Sequence, residues 1–539
     1  MIIETIISIL AYSVYIVLGI LFIDFVLVRI PVQFISYRFY KKQNMQFIGR
    51  CIPGVGDFMK LVETMQKHED YSPFHPLKRE KYGSNPPGIV GLMMHYKPIF
   101  IINKPEYLTD LYVSKAKYLD KEPMTKLQLK TLLGNSSLMM ETTDEQSYKR
   151  KMISTAFYKD KLLKMTEIMK DLVAKKADYL ESEYLNKNLP FNLLTELNDL
   201  HIRIIISTAF GEDIQNAKIC QVKNGQQVMM GMGEALRELF LYVAYRGGRK
   251  LFFWSPLMIL FFYNKKDREY IKNTTTVREY CRDLIKQRRA NLDNQSGKDL
   301  LTIMLNDENY KNNEEEIIDE CITFFLAGSQ TVISSNANLI QYLTMNPKID
   351  RKVRQEIKQE ILNDSDLTKV VDINAAFKYD KLQDLNYFMM CFNESLRIEP
   401  PVIFSSLLLF KEDTKINEEF VIKKGDNLVL DFQEIHHDQD QWIDHEKFIP
   451  ERFDPHSDFY HKPNGEKRHP LAFTPFFGGR RICIGKTFAE TVAKFVVPGL
   501  MSRFEFSFAD LNAYKVKPIL NVDMVVQPKI MMKIKRAQF

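Results

Sequence analysis

The chain opens with an apolar stretch long enough to cross a bilayer as a helix. Residues 5–23 carry no charge, and a helix of that length at about 1.5 Å per residue spans roughly 28 Å. Only Glu4 is charged before this stretch, whereas basic residues follow it: Arg29, Arg38, Lys41, Lys42 and Arg50. Positive charge tends to stay on the cytosolic side of an anchor. The pattern predicts a single-pass transmembrane anchor at residues 1–29, with the rest of the chain in the cytosol.

A cleaved secretory signal is the alternative interpretation of the same stretch. The sequence favours an anchor, because no basic residue precedes the apolar run and no small-x-small cleavage site follows it. No later segment reaches 18 uncharged apolar residues, so we expect a single membrane crossing.

Beyond the anchor, apolar residues recur mostly at helical spacing. This period predicts helices over residues 160–184, 234–245, 267–291, 313–345 and 347–362. Fewer strands are predicted, over residues 88–92, 99–102, 420–422 and 427–430, the last two joined by a turn at 424–426. Residues 30–52 are predicted to be a basic linker and hinge that ends at the turn of Pro53 and Gly54. Residues 53–539 then form one large domain, mainly α with minor sheets.

Composition narrows the class of protein. Of the 539 residues, 45% are hydrophobic and 26% charged, which is ordinary for a globular protein and excludes a mainly disordered or collagen-like chain. The 74 basic and 68 acidic residues leave a net charge of +6, too small to indicate nucleic acid as a partner. Six scattered cysteines contain no CxxC pair, which argues against a disulfide framework or a zinc finger: Cys51, Cys220, Cys281, Cys321, Cys391 and Cys483.

A second uncharged apolar stretch lies inside the body, at residues 251–263. Thirteen residues are too few to span a bilayer. Two interpretations remain open: a buried core segment, or a surface that enters the membrane interface with its basic flanks against lipid headgroups. Those flanks are Arg246, Arg249, Lys250, Lys265, Lys266 and Arg268.

The sharpest local signal is the segment 476–485, FFGGRRICIG, which an apolar helical pattern follows. Glycines allow a tight turn and a close approach of the backbone to something flat or bulky. A cysteine just before a helix N-terminus has its thiolate favoured by the helix dipole, and nearby cations lower its pKa further. A lone cysteine is usually a buried hydrophobe, but such a residue needs neither glycines nor arginines beside it. We therefore expect Cys483 to present a thiolate to a metal or an electrophile.

This segment resembles the haem-binding motif of the cytochrome P450 family. The pattern Phe-x-x-Gly-x-Arg-x-Cys-x-Gly is matched at Phe476, Gly479, Arg481, Cys483 and Gly485. The resemblance implies a cytochrome P450 fold that binds haem b, with Cys483 as the axial ligand of the iron, donating electron density that favours O–O cleavage. It also implies that Arg481 binds a haem propionate and that Phe476 packs beside the thiolate.

Further matches to the family occur in the expected order. Glu394 and Arg397 share a helix face at i, i+3 and resemble the family's Glu-x-x-Arg helix. Arg452, in the segment FIPERF, matches a third family position. The resemblance implies that these three residues form a buried structural triad beside the haem; alone, the spacing would indicate only a surface ion pair.

The predicted helix at 313–345 contains the segment AGSQT. A glycine within a helix costs about 1 kcal/mol relative to alanine, which needs a reason. In the family this segment crosses the distal haem face, so the resemblance implies that Ala327 and Gly328 open a notch for O2. Family members also use an acid and a threonine there to deliver protons. Thr331 is retained, but Gln330 occupies the acid position, and glutamine can order water but cannot ionise.

Two further positions depart from the family pattern. Arg150 matches an arginine that family members place near a haem propionate, but Gln146 stands where they usually have a tryptophan. An arginine often found after the Pro-Pro turn is also missing, with Leu407 nearby. The resemblance therefore implies that the haem propionates rely on Arg150 and Arg481.

Together these features predict a haem-thiolate monooxygenase, anchored in the endoplasmic reticulum membrane, that inserts one atom of O2 into a lipophilic substrate. No GxGxxG segment opens a strand–helix unit, so we expect electrons to come from a separate NADPH-dependent flavoprotein reductase. Membrane lipid is a further expected partner. Two alternatives remain open: an isomerase or dehydratase that uses a peroxide substrate without O2 activation, which Gln330 favours, and a haem-binding sensor without turnover.

Overall fold

Helices make up most of the protein, as the period of its apolar residues predicts. The structure, a computed structural model, describes residues 12, 15–16, 19–67, 74–94, 96–211, 218–247, 263–290, 299–363, 368–510 and 531–539. The α-helices within these residues are, in chain order, α1 (Ile30–Lys41), α2 (Phe58–Lys67), α3 (His75–Tyr82), α4 (Pro123–Leu133), α5 (Asp144–Ser154), α6 (Lys159–Leu180), α7 (Leu193–Phe210), α8 (Met232–Gly247), α9 (Lys265–Ala290), α10 (Leu300–Asn306), α11 (Glu314–Met345), α12 (Pro347–Glu356), α13 (Ile373–Ala376), α14 (Asn386–Ile398), α15 (Phe432–His436) and α16 (Lys486–Met501).

The strands form small sheets beside this helical mass. They are β1 (Ile89–Met94), β2 (Lys97–Ile102), β3 (Leu119–Lys121), β4 (Phe191–Asn192), β5 (Lys218–Lys223), β6 (Gln226–Gly231), β7 (Leu408–Phe410), β8 (Thr414–Ile416), β9 (Phe420–Ile422), β10 (Asn427–Leu430), β11 (Phe504–Phe508) and β12 (Met531–Arg536). The largest described sheet has the order β1-β2-β10-β7-β3. Its pairs are antiparallel except for β10 with β2. The prediction of a mainly α fold with minor sheets is confirmed.

All five predicted long helices are present. Helices α8, α9 and α11 lie within two residues of their predicted bounds, and α6 and α12 each continue past the α-helical part as a wide π turn. Asn313 caps α11: its side-chain oxygen accepts a hydrogen bond from the backbone N–H of Glu316 at 3.3 Å, which satisfies one of the free N–H groups of a helix start. The predicted segment 251–263 falls outside the described residues except for Tyr263.

The main apolar core surrounds α11. Buried side chains of α6, α7, α9, α14 and α16 join those of α11 in one continuous cluster, and a second cluster lies against the large sheet. Helix α11 is apolar and long enough to cross a membrane, but most of it is buried among its neighbours. Its apolarity therefore reflects its place in the core.

The N-terminal apolar helix continues into the body without a break. Gly19–Lys41 forms one apolar helix of 23 residues that remains largely exposed. Of the predicted anchor at residues 1–29, the structure describes residues 12, 15–16 and 19–29. The last part of this helix is α1, which packs onto the large sheet. Residues 30–52, predicted as a linker, therefore contain a packed helix.

Two polar side chains of α1 hold it to the body. The Gln33 side-chain amide donates to the carbonyl of Ile52 at 2.9 Å and accepts from the N–H of Gly54. Tyr40 is fully buried, and its hydroxyl donates to the carboxylate of Asp426 in the turn before β10. These contacts couple the orientation of the N-terminal helix to that of the domain.

Candidate active site

Cys483 lies in a tight turn just before α16. Its N–H donates to the carbonyl of Phe476 at 2.8 Å, which closes the loop. The backbone N–H groups of Gly485 and Lys486 are directed at the sulfur. The side chain is surrounded by protein yet accessible, because Sγ faces an internal cavity.

The electrostatic balance at this thiol differs from the prediction. Burial raises the pKa of Cys483 above its ordinary value, and the two N–H groups and the Arg150 guanidinium offset this only in part. The prediction of a lowered pKa is therefore wrong for the polypeptide alone, because the thiolate loses more solvation than the helix terminus returns. Coordination to a metal deprotonates a thiol outright, so a metal would supply the missing stabilisation.

Tyr112 explains the two glycines that precede the cysteine. A Cβ on Gly479, whose φ is +60°, would lie 2.5 Å from the carbonyl oxygen of Tyr112, and a Cβ on Gly478 would lie 2.3 Å from its ring. Both contacts are too short for any side chain. Gly485 differs: the nearest described atom to a Cβ there is Sγ of Cys483, at 3.8 Å. That glycine leaves free space beside the sulfur.

Helix α11 also lines the cavity. Between residues 317 and 343, all of them described, every residue is buried except Ala327, Gly328 and Thr331. These three line the same cavity as Cys483. The hydroxyl of Thr331 donates to the carbonyl of Ala327 at 2.7 Å. Only one turn of this stretch is therefore exposed to the cavity, and the residues on either side of that turn are buried.

Two residues of the predicted α11 motif, Gly328 and Gln330, pack against α7. A Cβ on Gly328 would lie 2.5 Å from Cδ1 of Ile205, so close helix–helix contact already requires a glycine there. Gln330 is buried, and its amide nitrogen lies 3.4 Å from Oδ1 of Asn198. Gln330 is not among the described residues that line the cavity.

Cationic side chains line one edge of the cavity. Arg481 donates to the carbonyl of Met140 at 2.7 Å and to the hydroxyl of Thr142. Arg150, from α5, donates to the carbonyl of Ile482. Lys121, the last residue of β3, lines the same cavity and was missed from the sequence, where no motif marks it.

This donor set fits haem. The lining combines the thiol of Cys483, the exposed turn at Ala327, several cations and many apolar side chains, among them Phe157, Phe324, Val332 and Phe476. A haem has the matching parts: a flat apolar ring, a central iron and two carboxylates. Among the described residues no cluster of His, Cys, Asp and Glu forms a separate metal site.

Comparison with known families decides between a metal thiolate and a reactive cysteine. The family model described as Cytochrome P450 matches residues 53–536. The chain belongs to the cytochrome P450 family. It is therefore a haem-thiolate protein of a monooxygenase family, whose members use O2 and a reductase partner.

Curated cytochromes P450 align with most of the chain. Cytochrome P450 4F6 of Rattus norvegicus is 25% identical, covering 76% of this chain and 73% of the relative. The ultra-long-chain fatty acid omega-hydroxylase of Homo sapiens is 26% identical, covering 78% and 77% respectively. Cytochrome P450 4F3 of Mus musculus is 28% identical, covering 76% and 75%.

Three residues of the family pattern meet at a site fully enclosed by protein, and none of them is among the described residues that line the cavity. The Glu394 carboxylate accepts from Arg397 at 2.7 and 2.9 Å and from Nε of Arg452 at 2.9 Å. The N–H of Ile449 also donates to Glu394, at 3.0 Å. The two guanidinium groups donate further to backbone carbonyls, including that of His436 at 2.9 Å. The two guanidinium groups thus share one carboxylate, and backbone carbonyls accept from their other N–H groups, as buried charges require.

The two positions that depart from the cytochrome P450 pattern turn away from the cavity. Gln146 is buried, and its amide donates to the carbonyl of Ser137 at 3.1 Å. Leu407 packs against the apolar cluster around β1 and β2. Neither is among the described residues that line the cavity.

Proposed function

We propose that the protein is a membrane-anchored monooxygenase that inserts one atom of O2 into a lipophilic substrate, with electrons from an NADPH-dependent flavoprotein reductase. One observation supports this most directly: the accessible thiol of Cys483 and the exposed turn of α11 line the same, mainly apolar cavity. A protein that only binds haem needs no such accessible turn. A monooxygenase needs room there for both O2 and a substrate.

In this proposal the motif around Cys483 holds the cofactor. Cys483 is the axial ligand of the iron, and haem held there supplies the site at which O2 is activated. Phe476 packs beside the sulfur, while Gly479 forms the turn and Gly485 leaves room for the ring. Arg481 and Arg150 pair with the propionates.

Thr331 is the residue that handles protons in this proposal. Its hydroxyl, which now donates to Ala327, can turn to donate to an oxygen in the cavity and accept from a water. Ala327 and Gly328 leave space for that oxygen. Gln330 supports the helix from behind, since its amide donates to Oδ1 of Asn198 at 3.4 Å and cannot itself ionise.

We propose an aliphatic chain of the fatty-acid class as substrate. One relative is an ultra-long-chain fatty acid omega-hydroxylase, and apolar side chains line most of this cavity. Such a substrate dissolves in a membrane. The proposed location, on the cytosolic face of the endoplasmic reticulum, agrees with the apolar helix Gly19–Lys41 and with the basic residues that follow it.

Turnover in a reconstituted system tests this function. The purified protein is combined with an NADPH-dependent flavoprotein reductase, phospholipid and a series of fatty acids, under isotopically labelled O2. We expect NADPH and O2 consumption coupled to a hydroxylated product that contains one labelled atom. Conversion of a fatty acid hydroperoxide without O2 or NADPH would instead identify an isomerase or dehydratase. Ligand-induced spectral shifts without any product would indicate a sensor.

A further inference from the structure

The second half of α11 is polar although the protein encloses it. Between residues 329 and 342, more than half of the side chains carry a hydroxyl or an amide: Ser329, Gln330, Thr331, Ser334, Ser335, Asn336, Asn338, Gln341 and Tyr342. All of these residues are buried except Thr331, which lines the cavity. Burial of a polar side chain costs free energy unless its hydrogen bonds are made, so this half of the helix needs partners for these groups.

Four of these side chains contain a buried atom whose hydrogen bond is not made by the described residues. The four atoms are Oγ of Ser334, Oδ1 of Asn336, Oδ1 of Asn338 and Oε1 of Gln341. Buried polar groups that the protein leaves unpaired are normally bound by internal water. The second half of α11 therefore offers several binding sites for water inside the core, and the site at Asn338 is the one in line with the cavity.

One polar face of α11 leads from the cavity into the core. It consists of Thr331, Ser335, Asn338 and Tyr342, at intervals of four, three and four residues, which makes them neighbours on the helix surface. Ser335 also lines the cavity, and its hydroxyl donates to the carbonyl of Thr331 at 2.8 Å. A hydroxyl can accept one hydrogen bond while it donates another. Ser335 can therefore pass a proton between a water at Asn338 and the hydroxyl of Thr331.

Glu399 lies at the inner end of this polar face. It follows the last residue of α14, and its backbone carbonyl accepts from Nδ2 of Asn338 at 3.3 Å. Its carboxylate accepts from the hydroxyl of Tyr342 at 2.9 Å. Glu399 is 6% exposed, whereas Glu394 and Arg397 of the same helix are not exposed at all. A carboxyl thus meets the polar face at a point that solvent still reaches.

The reaction proposed above consumes protons that Gln330 cannot supply. One atom of O2 enters the substrate and the other leaves as water, so each turnover takes two electrons from the reductase and two protons from solvent. An amide cannot ionise, and the Gln330 amide donates to Asn198 of α7. A carboxyl can release a proton and regain it from water. Glu399 therefore has the chemistry that Gln330 lacks.

We propose that Glu399 supplies protons to Thr331 through water held by Asn338 and through the hydroxyl of Ser335. The proposal rests on the monooxygenase function proposed above. The O–H bond of the Glu399 carboxyl breaks, and each group along the path gives up one proton as it accepts another. Thr331 donates the last proton to an oxygen atom in the cavity, and solvent returns a proton to the carboxylate. Glu399, Asn338 and Ser335 act through Thr331 and are positioning residues.

Two matched amide variants of the holoprotein test the path. Asn338→Leu and Asn336→Leu each remove a fully buried amide of α11, but the Asn336 amide lies 2.8 Å from Nε2 of His201 of α7 and away from Glu399. We expect Asn338→Leu and Glu399→Gln to lower product per NADPH roughly 10-fold, because the proton supply is interrupted. Asn336→Leu should stay near wild type, and Glu399→Asp, which keeps the carboxyl, should exceed Glu399→Gln. Equal product per NADPH in the two amide variants would overturn the proposal.

Hydrogen peroxide separates proton supply from a structural defect. Peroxide brings both the electrons and the protons of the reaction, so a substrate and hydrogen peroxide give the hydroxylated product and water without protons from solvent. We expect Asn338→Leu and Glu399→Gln to match wild type in this assay. Parallel losses with peroxide and with NADPH would assign both residues to the structure alone and overturn the proposal. Failure of the proposed function is distinguishable, because wild type itself would then form no oxygenated product from O2 and NADPH.

A crystal structure of the holoprotein gives a readout that is independent of turnover. We expect an ordered water within hydrogen-bond distance of Oδ1 of Asn338 in wild type, and none there in Asn338→Leu. If Asn338→Leu does not fold, Ser335→Ala interrupts the same path by removing only a hydroxyl, and its product per NADPH should fall. A wild-type structure without water between Ser335 and Glu399 would overturn the proposal.

Discussion

Arg452 and Glu394, 58 residues apart in the chain, meet with no solvent between them: Nε of Arg452 lies 2.9 Å from Oε1 of Glu394, and both side chains are fully buried. Arg397 binds the same carboxylate from one helical turn away. Breaking a buried ion pair on one side leaves an unpaired charge, which costs more than the pair contributes when intact. This contact therefore holds the segment around Arg452, which precedes the Cys483 loop in the chain, against α14.

Removal of the shared carboxylate should destabilise the fold. We expect Glu394→Gln to lower the free energy of unfolding by about 3–5 kcal/mol, because two guanidinium groups lose their counter-ion. Denaturant titrations of the holoprotein measure this. Glu446→Gln, at an exposed position, is the control and should change stability by less than about 0.5 kcal/mol. Equal stability of the two variants would refute a structural role for the cluster.

Loss of the sulfur should abolish thiolate ligation. We expect Cys483→Ala to give no thiolate-type spectrum when reduced and exposed to carbon monoxide, since no other described cysteine lines the cavity. Cys220→Ala, on β5 outside the cavity, should retain the wild-type spectrum. A wild-type spectrum from Cys483→Ala would contradict the assignment.

Substitutions at Thr331 and at its neighbours should differ in how far they reduce the product formed per NADPH consumed. We expect Thr331→Val to divert NADPH consumption from product to reduced oxygen species, lowering product per NADPH roughly 10-fold or more, because a proton-handling hydroxyl is lost. Gln330→Leu should have a smaller effect, since Gln330 lies behind the helix. Ser329→Ala is the control: that hydroxyl donates to the Phe325 carbonyl, away from the cavity. Equal coupling in Thr331→Val and wild type would remove Thr331 from the proposed mechanism.

Glu320 should make stability depend on pH. Its pKa is raised by burial to about 7, so the folded protein holds a proton that the unfolded chain releases near pH 4.5. The free energy of unfolding should accordingly fall as pH rises from about 4.5 through 7, by roughly 3 kcal/mol in total. Glu320→Gln should flatten this part of the profile, whereas Glu141→Gln, at an exposed site, should not. A profile for Glu320→Gln that still falls by the wild-type amount would show that other groups cause the pH dependence.

Deletion of residues 2–29 should release the protein from the membrane when salt is added. The full chain should resist a high-salt wash, because its apolar helix is held by the bilayer core. The truncated chain keeps residues 251–263, and any salt-resistant binding that remains would come from that segment. Complete release without salt would contradict the interfacial interpretation of 251–263. Release of the full chain by salt would contradict the anchor.

The 3.6-residue period predicted the helices, and the motif identified Cys483. Neither predicted how far the site residues are buried, which governs their chemistry. A 3.6-residue period suffices for α8, α9 and α11 because each buries one or more apolar faces in a continuous core. The pKa of Cys483 was predicted in the wrong direction, since a sequence shows neighbouring arginines but not how much solvent the sulfur loses. Lys121 could not be found, because its place in the cavity depends on the pairing of β3 with a strand almost 300 residues later.

Contacts with neighbouring parts of the protein also explain residues that the sequence analysis interpreted only through the family pattern. Gly328 is required by contact with Ile205 of α7, whatever its role toward oxygen. Gln146 and Gln330 both point into protein, toward Ser137 and Asn198. Such contacts join residues far apart in the chain, so spacing in the sequence cannot reveal them.

Because the helix Gly19–Lys41 is continuous, its length determines how the body is oriented around the helix axis. Because Gln33 and Tyr40 bind the body at fixed points, one extra residue between Gly19 and Gln33 would rotate the whole body by about 100° around the helix axis and raise it by about 1.5 Å. For the proposed anchor, the direction in which the body faces the lipid is thus set by helical phase. An insertion or deletion in this part of the helix would change that orientation even if every apolar side chain were kept.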